Sequence, residues 1–121
     1  MDYDFGRGVK QDYAKAITYY EKAAELGNAT ATYNLGVIYA NGEGVKQDYA
    51  KAITYYEKAA ELGYAAAINN LGAMYANGKG VKQDHAKAIK YYEKAAELGD
   101  ARAMFNLGNM YANGKGGKTR L

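Results

Sequence analysis

The sequence predicts an all-α protein, an α-solenoid of antiparallel helix pairs (an α/α superhelix) with six helices in a single repeat domain covering residues 1–121. Three observations carry this. The twenty residues from Gly8 to Gly27 recur letter for letter from Gly44 to Gly63, and recur again from Gly80 to Gly99 with His85 in place of Tyr13 and Lys90 in place of Thr18. The spacing is 36 residues each time, in the range where one supersecondary unit is stacked on copies of itself because a single unit cannot bury its own apolar face. Within each unit the apolar residues follow the helical period, and the breaks fall at glycines in a chain with no proline. Function is therefore expected on an extended surface instead of in a deep pocket.

Composition narrows the possibilities further. With 49% hydrophobic and 24% charged residues, the 121-residue chain has the balance of a folded soluble domain. It has no cysteine, so disulfides, thiolate metal sites and cysteine nucleophiles are excluded. The net charge of +3 is spread over interleaved Lys and Glu, the pattern of solvated helical faces, and no nucleic-acid partner is expected. No apolar run approaches the roughly 20 residues that span a bilayer. The opening Met1-Asp2-Tyr3-Asp4-Phe5 has no signal-peptide pattern. The compartment is not readable: a cytoplasmic protein and an exported one with its leader removed both fit.

Taken in order, residues 1–8 read as the end of a partial repeat, since Tyr3, Gly6 and Gly8 align with Tyr39, Gly42 and Gly44. A first helix is predicted over about 12–26, with Asp12 as N-cap and Gly27 as the stop. On a helical wheel Tyr13, Ala16, Ile17, Tyr19, Tyr20, Ala23, Ala24 and Leu26 cover about half the circumference, the width expected of a helix flanked on two sides. We call this the KAA helix, after Lys22-Ala23-Ala24. A second helix, the LG helix, is predicted over about 28–41, with Asn28 as N-cap and Ala31, Leu35, Ile38 and Tyr39 on its core face. Glycine inside a helix costs about 1 kcal/mol relative to alanine, so its recurrence as Gly36, Gly72 and Gly108 predicts close approach of a neighbouring backbone. The pair repeats as KAA helices at about 48–62 and 84–98 and LG helices at about 64–77 and 100–113. After Gly114 the pattern fails, and the tail 114–121 is expected to be disordered.

The run from Ala29 to Gly63, with Ala31, Leu35-Gly36, Tyr39, Gly42-x-Gly44-Val45, Asp48, Lys51-Ala52, Tyr55-Tyr56 and Lys58-Ala59-Ala60, closely resembles the Sel1-like repeat family, a relative of tetratricopeptide repeats. The period of 36, the Gly-x-Gly-Val and the absence of proline favour it over tetratricopeptide units of 34 residues. The chain departs from that family where Tyr19-Tyr20 replaces a common Trp-Tyr, and where Lys10, Lys46 and Lys82 follow Gly-Val in place of a common proline. The resemblance implies a non-enzymatic adaptor that binds a protein or peptide partner.

The KAA helices barely differ among the copies, whereas the LG helices differ at Thr30/Ala66/Arg102, Tyr33/Asn69/Phe105 and Val37/Ala73/Asn109. These positions share one stripe, read as lying opposite the core face, with Asn34/Asn70/Asn106 and Asn41/Asn77/Asn113 alongside. By analogy with tetratricopeptide-like solenoids, this stripe would line a concave groove and contact the bound peptide, with Tyr33 and Phe105 as off-core aromatics suited to contact.

No catalytic, metal-binding or cofactor-binding residue is expected. His85 stands where the other copies have tyrosine, and the chain has no serine or cysteine for it to activate. Gly42-x-Gly44 and its copies end helices instead of following strands, which removes a dinucleotide reading. Gly116-Gly117-Lys118-Thr119 lacks the earlier glycine of a phosphate loop, Ala112 standing in its place. A rival expectation comes from the ends. The first KAA helix and the last LG helix each lack a covering neighbour, so the module could self-assemble through them as a homo-oligomer. Twenty identical residues in two copies also fit a recent duplication or a deliberately repeated consensus array.

Overall fold

The computed structural model describes residues 11–114, and among these the regular elements are all helices, with no strand. The helices are α1 (Tyr13–Glu25), α2 (Ala29–Asn41), α3 (Tyr49–Glu61), α4 (Ala65–Asn77), α5 (His85–Glu97) and α6 (Ala101–Ala112). The partial repeat expected at 1–8 and the tail from 115 lie outside the described residues. Each helix begins one residue later than its sequence-based span, because the capping residue keeps extended backbone angles while its side chain serves the first turn. Asp12, Asp48 and Asp84 accept from the amides of Lys15, Lys51 and Lys87 at 3.0–3.1 Å, and Asn28 and Asp100 accept from Ala31 and Ala103 at 2.8 and 3.1 Å. Tyr64 occupies the same position before α4 with no side-chain cap bond. At the other end of the LG helices, Gly42 and Gly78 take left-handed angles (φ 69° and 67°), which lets the chain leave α2 and α4 sharply.

Every helix packs on its neighbours in sequence, α2 on α3 and α4 on α5 most extensively. The core is accordingly a row of clusters. Ile17, Leu35 and Ile38 form one; Ala52, Ile53, Tyr56, Ala59, Ala67, Leu71 and Met74 a second; Ile68, Ala88, Tyr92, Ala95, Ala103 and Met110 a third. A core distributed this way is the mark of a solenoid, in which each repeat is stabilised by the next. No helix among the described residues is long and apolar enough to cross a membrane.

The wide apolar half expected of the KAA helix is corrected at two places. Tyr19 is 68% exposed and Leu26 is 89% exposed. Tyr55 and Tyr91, the counterparts of Tyr19, stack on Tyr39 and Tyr75 of the preceding LG helix with ring centroids 5.9 and 5.6 Å apart, and no described helix precedes α1 to offer such a ring. Leu26, Leu62 and Leu98 sit at the helix C-caps, all with more than half of their surface in solvent.

The recurring mid-helix glycine also has a specific neighbour. A β-carbon on Gly36 would meet the ring of Tyr56, and one on Gly72 the ring of Tyr92, at 2.5–2.7 Å. Here the approaching group is an aromatic ring of the following KAA helix instead of its backbone. α2 and α4 are thus each held between two KAA helices. In α2, Leu35 and Ile38 face the one before, while Tyr33, Gly36, Val37 and Ala40 face the one after.

Candidate functional site: a row of asparagine-lined cavities

Because the chain repeats, so do its clefts. Three open cavities of about 230, 360 and 280 Å³ lie along the LG helices at matching positions in successive repeats. The first is lined by Tyr13 and Tyr20 of α1, Asn34 and Val37 of α2, and Glu43. In the second, Asn41 of α2 faces Asn70, Ala73 and Asn77 of α4 across Tyr49 and Tyr56 of α3, with Lys79 at the edge. The third sets Ala73 and Asn77 of α4 against Asn106, Asn109 and Asn113 of α6, across His85 and Tyr92 of α5. In the second and third, KAA-helix side chains form part of the lining between two LG helices, whereas the first is bordered by α2 alone among the LG helices. Two of these volumes fall below the roughly 300–1,000 Å³ of small-molecule sites and the second, about 360 Å³, lies at its lower end, and all three are open to solvent. They suit side chains or a strip of backbone.

Nine of the fifteen stripe residues line these cavities: Asn34, Val37, Asn41, Asn70, Ala73, Asn77, Asn106, Asn109 and Asn113. The other six do not. Thr30, Ala66 and Arg102 lie in the first turns of their helices, outside the cavity linings, and Arg102 pairs with Asp100 at 3.6 Å. Tyr33 was expected off the core but is half-buried, its ring 5.8 Å from that of Tyr56 and 5.1 Å from that of Tyr64. Asn69 is corrected more strongly, being 5% exposed. Its Oδ1 accepts from Asn106 Nδ2 at 3.0 Å, and one repeat earlier Asn70 Nδ2 donates to the hydroxyl of Tyr33 at 3.4 Å. This face holds repeats together as well as bordering the clefts. Phe105, at the same position, is 69% exposed.

Several lining groups were not singled out as site residues from the sequence, although the 36-residue period would have found them. Tyr20, Tyr56 and Tyr92 are one such set, and Tyr13, Tyr49 and His85 another. Burial pushes the phenols of Tyr56 and Tyr92 above their ordinary range. Gln47 Nε2 donates to the carbonyl of Ala40 at 2.8 Å and to the hydroxyl of Tyr49 at 3.2 Å. Gln83 makes the equivalent bond to Ala76 at 2.9 Å, but His85 takes the place of the tyrosine, and its buried Nδ1 has no hydrogen-bond partner. An asparagine carboxamide carries both donors and an acceptor, so the row presents alternating polarity without net charge. Among the described residues, no three His, Asp or Glu side chains come together as a metal site would require.

Comparison with known proteins agrees with this fold. The Sel1 repeat family model matches residues 3–28, 29–64, 65–100 and 101–120. A protective antigen of uropathogenic Escherichia coli that displays an SLR fold is similar at 42% identity and a TM-score of 0.88, over 93% of this chain and 24% of that one. A Sel1 repeat protein from Oxalobacter formigenes is similar at 43% identity and a TM-score of 0.87, over 95% and 47%. Cysteine-rich protein B of Helicobacter pylori is similar at 37% identity and a TM-score of 0.76, over 81% and 74%. The chain therefore spans about a quarter and about half of the first two.

Proposed function

Since this chain belongs to the Sel1 repeat family, whose members are typically non-enzymatic protein-interaction scaffolds, we propose that it holds an extended segment of a partner protein along its row of cavities. The observation that carries this is the recurrence of one cleft in three successive repeats, each with asparagine at one shared lining position, Asn34, Asn70 and Asn106. An extended peptide advances about 3.3 Å per residue and leaves alternate backbone N–H and C=O groups unpaired. Carboxamides from successive LG helices can bond both kinds of group, whatever the side chains bound. Discrimination then falls to the variable positions, where Val37, Ala73 and Asn109 change the depth and polarity of each cleft. The charge at the edges changes too, from Glu43 at the first to Lys79 at the second.

The test is selection of peptides from a random displayed library on the immobilised chain, followed by binding measurements with Asn70→Ala and Asn106→Ala variants of unchanged helicity. Loss of affinity in both variants supports the proposal. Peptides that bind both variants as well as the parent chain would refute it.

A further inference from the structure

We infer that the exposed face of α6 is a docking site for α1 of a second copy of this chain, with Tyr20 of that copy set against Gly108. The argument runs through the internal interfaces. Gly36 receives the ring of Tyr56 and Gly72 the ring of Tyr92, yet a β-carbon on Gly108 would meet nothing within 4 Å. The residues around it are correspondingly bare: Met104 is 51% exposed, Phe105 69% and Tyr111 59%. At the positions of Met104, Thr32 and Ile68 are 2% and 1% exposed. An aromatic and methionine patch centred on an empty glycine socket is an interface face, not ordinary surface.

The matching knobs are on α1. Its thirteen residues are identical to those of α3, which already packs on α2 through this arrangement. Tyr20 corresponds to Tyr56 and Tyr92, and it is less buried than either. Tyr19 is bare where Tyr55 and Tyr91 stack on Tyr39 and Tyr75. Lys51 and Lys87 place their ammonium groups 4.7 and 4.8 Å from the Tyr39 and Tyr75 ring centroids, and Lys15 is their counterpart. Seating α1 of a second copy on α6 would rebuild every one of these contacts. Tyr20 would fill the Gly108 socket, Tyr19 would stack on Tyr111, and Lys15 would cap that ring. Because the two faces differ, the contact is head-to-tail, and repetition extends it into an open chain of subunits instead of stopping at a dimer.

The measurement is mass in solution by sedimentation or light scattering across a wide concentration range, on the parent chain, on Gly108→Val and on Tyr20→Ala. A β-carbon at 108 meets nothing within 4 Å in the single chain, and circular dichroism verifies that both variants fold. The parent is expected to grow past the dimer with concentration, and each variant to associate at least about tenfold more weakly, the scale of a hot-spot loss. Gly108→Val keeps a working α1, and Tyr20→Ala a working α6. Their mixture is therefore expected to give a one-to-one heterodimer and nothing larger. A parent that stays monomeric throughout, a Gly108→Val chain that associates as the parent does, or a Tyr20→Ala chain that alone forms dimers as strong as the parent's would each overturn the inference.

Discussion

The ring of Tyr92 lies over Gly72 so closely that a β-carbon on the glycine would sit 2.7 Å from both Cδ1 and Cε1. The intrinsic cost of glycine in α4 is offset by the burial of that ring, which is 4% exposed. The same arrangement joins Gly36 to Tyr56, and it is what makes one repeat the packing surface of the next.

Alanine at position 72 must push the Tyr92 ring aside, and overpacking of this kind destabilises by about 1–3 kcal/mol. At position 108 the same substitution meets open space and removes the glycine cost, stabilising the isolated chain by up to about 1 kcal/mol. Urea denaturation of Gly72→Ala and Gly108→Ala at a dilution where the chain is monomeric measures both. Equal shifts in the same direction would show that the ring contact does not set the cost.

Leu71 has no exposed surface and sits in the central cluster. Its truncation to alanine is expected to cost about 2–5 kcal/mol. Leu107, one repeat later, is only half-buried, and Leu107→Ala should cost clearly less. The pair of denaturation midpoints tests whether the core weakens toward α6.

Asp48 caps α3 by accepting from the Lys51 amide at 3.0 Å. Asp48→Ala leaves that amide to solvent and should cost about 1 kcal/mol. Asp48→Asn keeps the acceptor and should restore most of the loss, a difference readable in thermal unfolding.

Stability should also fall in alkali. Burial raises the Tyr56 phenol above 10.0, an Asn70 hydrogen bond partly opposing it and nearby Tyr33 adding to it, and burial alone raises Tyr92. Above pH 10.0 the unfolded chain releases these protons before the folded one does, so it binds fewer protons and gains relative stability. The contribution is constant below 10.0 and is lost as pH rises from there through the folded-state values. Denaturation midpoints from about pH 8 to about pH 11 should show this decline, and Tyr56→Phe should make it shallower while the Tyr92 part remains. A decline as steep in Tyr56→Phe as in the parent would assign it to other groups.

Much of this architecture is legible in the letters because its causes are local. Asp12 and its copies cap helices, Gly42 and Gly78 end them, and Leu35 and Leu71 mark a helical stripe, all within a few residues of chain. The cavity row was partly legible, since Asn34, Asn70 and Asn106 recur at the period of the fold. Tyr33 and Asn69 were misplaced because a helical wheel shows the strongest apolar stripe and not a second contact face made of glycine, alanine, valine and asparagine.

The sequence by itself determined the helices, their caps, the 36-residue unit and its family, because propensity, capping and periodicity act over short stretches of chain. Only the tertiary structure decided what each repeated position does. Tyr33, Asn69 and Phe105 occupy one register, yet the first stacks on two rings, the second is buried against Asn106 and the third is bare. Identical α1 and α3 likewise leave Tyr19 in solvent and Tyr55 stacked on Tyr39. Burial is a property of neighbours, and in a solenoid the neighbours lie a whole repeat away in sequence.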